Sequence, residues 1–402
     1  MSRRFLNKKT PPHIMTLVLA ASLSALPMNI FLPSLPGMAK FFETDYATVQ
    51  LTVSLYLVST ALLQIFIGPA SDRFGRRPVM LACFAIFLGG TVAAVYAPTI
   101  EMLLVCRTFQ SFAAAGMVLS RAVIRDTTDA VHSASKIGYV TMGMSIVPMI
   151  GPVIGGFLDE WFGWQSTFLL MLAFGLLAFL VIYLDLGETN RATSSSFSEQ
   201  FKAYPKLLTS RRFWGYTLTA AFTSGAFFAF LGGGPYVATE LLGLSPSQYG
   251  FYFGLLSVGY LIGNFCSGQL SYRIGINRMM LMGNIISSVG MVLSIVLFTL
   301  GYNHPLALFG PAAFTGIGNG VTLPNAIAGI VSVRSDLAGS ASGLGGAMQI
   351  GGGAILSVVA GHLLGPDTGP YPLLWVMLLS SSAALLCTAY VMRVSREVGA
   401  VR

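Results

Sequence analysis

Apolar stretches of membrane-crossing length recur from one end of the chain to the other, and the few charges sit almost entirely between them. The stretches cover 14–38, 46–68, 78–97, 99–122, 137–158, 165–186, 213–237, 248–270, 279–301, 305–332, 339–363 and 372–392. A hydrocarbon core about 30 Å thick asks for roughly 20 apolar residues per helix, which each of them supplies. Only 9% of the 402 residues are charged, against roughly 25% in a soluble domain. Such a chain cannot cover a water-facing surface. It is expected to fold as an all-α polytopic membrane protein of twelve transmembrane helices, with the lipid bilayer as solvent.

The formal charge of +8 would suggest a nucleic-acid partner in a soluble protein, but its distribution excludes that. With the N-terminus inside, every Lys and Arg falls on inner loops or tails except Lys40, outside, and Arg107, within a helix. Basic residues near helix ends mark the cytoplasmic side, so both termini are expected to be cytoplasmic. No basic patch with interleaved aromatics appears, and no nucleic-acid partner is expected. The first apolar stretch is too long for a signal peptide, lacks a small-residue cleavage site and reads as a retained helix. Cys83, Cys106, Cys266 and Cys387 lie far apart inside apolar segments, so neither a metal site nor a disulfide framework is indicated. No catalytic constellation and no phosphate-binding loop stands at membrane depth, so neither an enzyme nor an ATP-driven pump is expected.

One inner loop, Gly187 to Arg212, is polar and Ser-rich, and it divides the spans six and six. The expected organisation is a bundle over 1–188, a cytoplasmic linker over 189–212 and a second bundle over 213–402. Self-similarity supports it. Gly68, Ser71, Arg73 and Gly75 after the second span recur as Gly268, Ser271, Arg273 and Gly275 after the eighth, at a constant offset. Repeated halves with a binding site near the midplane are a known transporter plan.

The loop G-x-x-x-D-R-x-G-R-R is complete at Gly68, Asp72, Arg73, Gly75, Arg76 and Arg77. Arg107-Thr-Phe-Gln110 gives an R-x-x-Q element in the fourth span, and Gly143 is followed by Gly151-Pro152-Val-Ile-Gly155-Gly156 in the fifth. Together these resemble the major facilitator superfamily over essentially the whole chain. Met28-Asn-Ile-Phe-Leu-Pro-Ser-Leu-Pro36 and Gly232-Gly-Gly-Pro-Tyr-Val237 are similar to its bicyclomycin-resistance (Bcr/CflA) branch of multidrug exporters. The resemblance implies that Asp72 closes the cytoplasmic side against basic residues, here Arg121 or Arg125, and the start of the eleventh helix. It also implies a cavity lined mainly by helices 1, 4, 7 and 10, with help from 2, 5, 8 and 11, for which Tyr56, Met144, Phe227, Phe230, Tyr236, Tyr260, Asn264, Asn319, Asn325 and Gln349 are the candidates.

Physical reading adds to this. Gly68 and Gly75 are expected to permit a tight turn. Gly143, Gly151 and Gly155 share one helical face, where another helix can approach closely. Arg107 lies roughly 12 Å deep at 1.5 Å per residue, with Gln110 on its face and Asn29 at similar depth. An intramembrane arginine faces a cavity or a partner, or bonds backbone carbonyls. The resemblance places an aspartate, a proton carrier, where Asn29 stands, and none of the fifteen acids lies at membrane depth.

Three explanations stay open. The chain carries an Asp→Asn replacement that mimics the protonated state; or it is a facilitator or exchanger whose substrate brings Arg107 its anion; or a boundary acid, Glu240 or Asp45, reaches in. The expectation is a monomeric exporter of lipophilic drug-like molecules by alternating access, with the proton as coupling ion and no cofactor or metal. The alternative is a carrier of an endogenous anionic metabolite, such as a carboxylate siderophore, anchored by Arg107.

Overall fold

The structure, a computed structural model, describes residues 6–128, 130–190, 204–334 and 337–399. Of the expected linker, residues 191–203 lie outside the described ones. Twelve long helices follow one another. Six precede that segment: α1 (Ile14–Phe41), α2 (Tyr46–Phe74), α3 (Arg76–Val95), α4 (Ile100–Thr127), α5 (Ala130–Phe162) and α6 (Gln165–Asp185). Six follow it: α7 (Arg211–Tyr236), α8 (Pro246–Ile274), α9 (Ile276–Thr299), α10 (Pro305–Ser332), α11 (Ala338–Leu363) and α12 (Tyr371–Gly399). No strand occurs among the described residues. In lipid that is required, because a helix satisfies its own backbone groups and an open sheet edge cannot.

The most apolar span is among the least buried. α6 has the highest mean hydropathy of the spans, 2.6, yet only 33% of its apolar window is buried. Leu169, Leu176 and Leu180 point outward from it, each half-exposed or more. α1, by contrast, has 72% of its apolar window buried. In α10, at mean hydropathy 1.3 and 67% buried, small and polar residues pack against other helices.

The turn after α2 is tighter than the sequence suggests. α2 runs on to Phe74, and Gly75 alone, at φ 98°, separates it from α3. Gly275, at φ 87°, does the same between α8 and α9. Both hold the left-handed region that only glycine occupies without strain. Gly68 and Gly268 are helical and take no part in the turn, which corrects the expectation for Gly68.

α1 and α4 are broken near their middles. In α1, Pro27 and Pro33 each lack an N–H, and the helix passes from Asn29 into a 3-10 turn over Leu32–Ser34 before resuming. In α4, the break is a 3-10 turn over Ser111–Ala113. Ser24 of α1 causes it directly: its hydroxyl donates to the Ala113 carbonyl at 2.6 Å and accepts from the Met117 N–H at 3.0 Å. Those two groups would otherwise bond each other, so the hydroxyl is inserted into the helical ladder.

The N-terminal six helices meet the C-terminal six along two seams, α2 with α11 and α5 with α8. The outer ends of these seams are sealed. The Tyr46 hydroxyl donates to the Gly232 carbonyl at 2.7 Å, and Gln50 donates to the Ser357 hydroxyl at 2.7 Å. Lys40 pairs with Glu240 at 2.9 Å above them.

Candidate functional site

Between the two sets of helices lies a cavity of about 230 Å³. None of the side chains lining it carries a charge. Its two walls differ. Helices α1, α4 and α5 contribute four thioethers, Met28, Met117, Met144 and Met149, together with Asn29. Helices α7 and α8 contribute four rings, Phe227, Phe228, Phe253 and Tyr260, while α10 and α11 bring Asn319 and Gln349.

Six of the expected cavity residues therefore line it: Asn29, Met144, Phe227, Tyr260, Asn319 and Gln349. The others do not. Tyr56 is wholly buried among α1, α2 and α4, its hydroxyl donating to the Ser24 carbonyl at 2.9 Å. Phe230 packs into a ring cluster behind the wall, 6.1 Å from Phe253 and 5.7 Å from Phe309 between centroids. Tyr236 packs against Tyr46 in the outer seal, ring centroids 5.0 Å apart and planes tilted by 51°. Asn264 and Asn325 donate to carbonyls of their own helices, those of Tyr260 and Val321, at 2.9 and 2.7 Å, and Asn325 also donates to the Ser267 hydroxyl of α8 at 2.9 Å. An amide inside a membrane helix satisfies itself on the preceding turn unless a partner lies closer.

Arg107 is the largest correction. It is fully buried and does not line the cavity. Its guanidinium donates through Nε to the Thr52 carbonyl at 2.9 Å, through one terminal nitrogen to Gln110 Oε1 at 2.6 Å, and through the other to the Pro27 carbonyl at 2.6 Å. The rings of Phe31 and Tyr56 cover it at 4.3 and 4.6 Å from their centroids. Gln110 passes the chain on to the Thr91 hydroxyl at 3.1 Å. All of these acceptors are neutral, and the residue ties α1, α2, α3 and α4 together. The guanidinium fork suits this task because three directed donors reach three helices at once.

Asn29 stands at the wall. Its amide nitrogen donates to the Ala25 carbonyl at 2.9 Å, and its Oδ1 is buried with no hydrogen-bond partner. Asn319 Oδ1, on the opposite wall, is in the same condition.

The glycines of α5 face two ways. A Cβ on Gly155 would overlap the Ile30 carbonyl of α1, and one on Gly143 would overlap Val18. Gly151 lies in van der Waals contact with Asn29 and Ile30 of α1. A Cβ on Gly156 would instead overlap the Pro246 carbonyl of α8. The partner contact is reciprocal, since Gly250 of α8 sits equally close to the Pro152 carbonyl. The motif thus binds α5 to α1 on one side and closes the outer seam against α8 on the other.

At the inner turn the ion pair of Asp72 is with Arg76, whereas the sequence pointed to Arg121 or Arg125. Arg76 also reaches Asp126 at the foot of α4, at 2.9 Å. Arg73 lies over the Phe74 ring and Arg77 over the Tyr183 ring. Sequence reasoning missed Glu188, whose carboxylate accepts from the Arg76 and Arg77 N–H groups at 2.9 and 3.2 Å. A carboxylate at a helix N-terminus answers the exposed N–H groups and the positive end of the dipole. It also missed Asp185, fully buried, which accepts from Leu6 N–H, His13 N–H and the Thr16 hydroxyl at 2.7, 2.8 and 2.6 Å. The signal for both was present only as an acid at the end of α6.

Twelve long helices among the described residues, ten of them long and apolar enough to cross a membrane, enclose an uncharged cavity at the meeting of two helix sets. This is the architecture of a polytopic membrane transport protein for small molecules. The family model of the Major Facilitator Superfamily matches residues 17–241 and 233–400, and the chain belongs to that family. It is 31% identical to an uncharacterized MFS-type transporter, YdgK, of Bacillus subtilis over 85% of this chain and 86% of that one. It is 27% identical to a bicyclomycin resistance protein homolog of Haemophilus influenzae, over 97% and 98% of the two chains. Multidrug resistance protein D of Escherichia coli is also 27% identical, over 93% and 94%. Among solved structures, a bacterial homolog of the human lysosomal transporter Spinster superposes with a TM-score of 0.71 at 17% identity, covering 95% and 96%.

Proposed function

We propose that this chain is a multidrug-type exporter of the bacterial inner membrane, a monomer with both termini in the cytoplasm, which moves lipophilic drug-like molecules by alternating access. The observation that carries the reading is the cavity itself. It is apolar, sits on the seam between the two helix sets, and is closed above by Tyr46, Gln50 and the Gly156–Pro246 contact. A pocket with apolar walls and sparse polar anchors suits lipophilic ligands. Rocking one six-helix half against the other would break the outer bonds and expose the same cavity to the far side. Relatives named for bicyclomycin and multidrug resistance support this substrate class. The anionic-metabolite reading loses its anchor, because Arg107 is enclosed within its own half and spends its donors on neutral acceptors.

The proton is the proposed coupling ion of this architecture, and Asn29 is the place where it would bind. An amide there cannot carry it. The test is proton release on drug binding, measured with purified protein in weakly buffered detergent beside an Asn29→Asp variant. No release here and release from Asn29→Asp is the expected result. Equal proton release from both proteins, with binding verified separately, overturns Asn29 as the coupling position. Orientation is checked with a cysteine added at either terminus. A membrane-impermeant thiol reagent should label it in inverted vesicles and leave it unlabelled in right-side-out ones.

A further inference from the structure

The two walls of the cavity are made of different materials, and neither holds a charge. On the C-terminal side, Phe227 lies 5.8 Å from Phe228 and 6.5 Å from Phe253. Phe253 is fully buried and continues into rings that pack against one another, with Tyr249 at 5.9 Å and Phe309 joined to Tyr249 at 5.8 Å. Rings locked this way cannot move independently, so this wall is a fixed aromatic face. On the N-terminal side the wall is Met28, Met117, Met144 and Met149. Unbranched thioethers re-pack at little cost and follow the shape of whatever lies against them.

Charge selects further. A permanent cation brought here would find no carboxylate on the walls, and a carboxylate would find no Lys or Arg. The one cation in this region, Arg107, lies behind Phe31 and Tyr56, bonded to carbonyls. Burying an unpaired charge is far costlier than burying a hydrogen-bonded neutral group. Three polar atoms of the lining lack a partner: the acceptors Asn29 Oδ1 and Asn319 Oδ1, from opposite walls, and the Thr60 hydroxyl, which can accept as well as donate. The Asn29 assignment is fixed by its nitrogen, which donates to the Ala25 carbonyl.

From these observations, and resting on the exporter reading above, we infer that the cavity takes neutral ring-bearing molecules with a hydrogen-bond donor, and discriminates against both permanent organic cations and carboxylates. The ring lies on the aromatic wall of the C-terminal half, the methionine wall adapts to the remainder, and the donor meets Asn29 or Asn319. Breadth of shape then comes from one half and the demand for a ring from the other.

The test uses three fluorescent tricycles of nearly equal shape on the purified full-length chain: acridone, neutral with an N–H; N-methylacridinium, a permanent cation; and acridine carboxylate. Acridone should bind at least about tenfold more tightly than either charged probe, as expected where charge is buried unpaired. Equal or tighter binding of the cation or the carboxylate overturns the inference. Asn29→Asp and, from the opposite wall, Asn319→Asp should each raise affinity for the cation relative to acridone. If both variants keep the parent melting temperature and neither shifts the order, the placement of the ligand is wrong. Phe227→Leu should weaken acridone, and Phe227→Tyr should restore it; loss in both would mean that the ring face does not hold the probe. Acridone flux from proteoliposomes separates this inference from the reading it rests on. The binding order without flux sinks the exporter, and flux without the binding order sinks the selectivity.

Discussion

Arg107 shows how far depth can be read from a sequence and direction cannot. Its distance from the end of α4 was legible, and so was its shared face with Gln110. What the sequence does not contain is which neighbour that face meets. The first α-helical part of α1 ends at Asn29 before the 3-10 turn, and the arginine turns to the Pro27 carbonyl at that break rather than to the cavity. Arg107→Lys keeps the charge but loses the fork. It should lower thermal stability in detergent by on the order of 3 kcal/mol, since hydrogen bonds to a charged donor contribute about 1.5–3 kcal/mol each. A melting curve unchanged from the parent would contradict the clamp. Ser24 makes a smaller claim of the same kind. Ser24→Ala removes the hydroxyl that bridges Ala113 and Met117, and should cost about 1 kcal/mol, read from the same melting curves.

At the scale of elements, α5 carries the informative motif. Its glycines could be assigned to close packing from their spacing, and Gly143, Gly151 and Gly155 do meet α1. That the adjacent Gly156 faces α8, across the seam, follows from the 100° turn between neighbouring helical residues, and needed the partner helix to be seen. The two glycines therefore fail differently when enlarged. Gly155→Val should damage folding yield, because both helices belong to one half. Gly156→Leu should leave the halves folded and hold the outer seam open. A cysteine placed at Gln50 would then label with an impermeant reagent from outside, and should not label in the parent background. Tyr46→Phe, which loses one cross-seam bond of about 1 kcal/mol, should give labelling between the two.

On the scale of the whole molecule, the twelve spans, the tight inner turns and the internal repeat were readable, because hydropathy and glycine placement are local properties. The span ends differ by up to seven residues, most of the larger differences being extensions, as at α5, which starts at Ala130 rather than 137. Amphipathic helix ends in the headgroup region carry no hydropathy signal. The division of the cavity into a methionine wall and an aromatic wall was not readable, since it depends on which face each helix turns to the seam. The enclosed arginine has one more consequence. In the rocking motion proposed above, a half that moves as a block carries with it a cation bonded to neutral groups, and the bilayer sustains an electric field across that block. Each elementary charge moved through the full potential involves about 2.3 kcal/mol per 100 mV, so even a fractional displacement makes the conformational equilibrium sensitive to voltage. Transient currents evoked by voltage steps in the absence of any substrate would be the signature, and they should vanish when Arg107 is replaced by a neutral side chain that still folds.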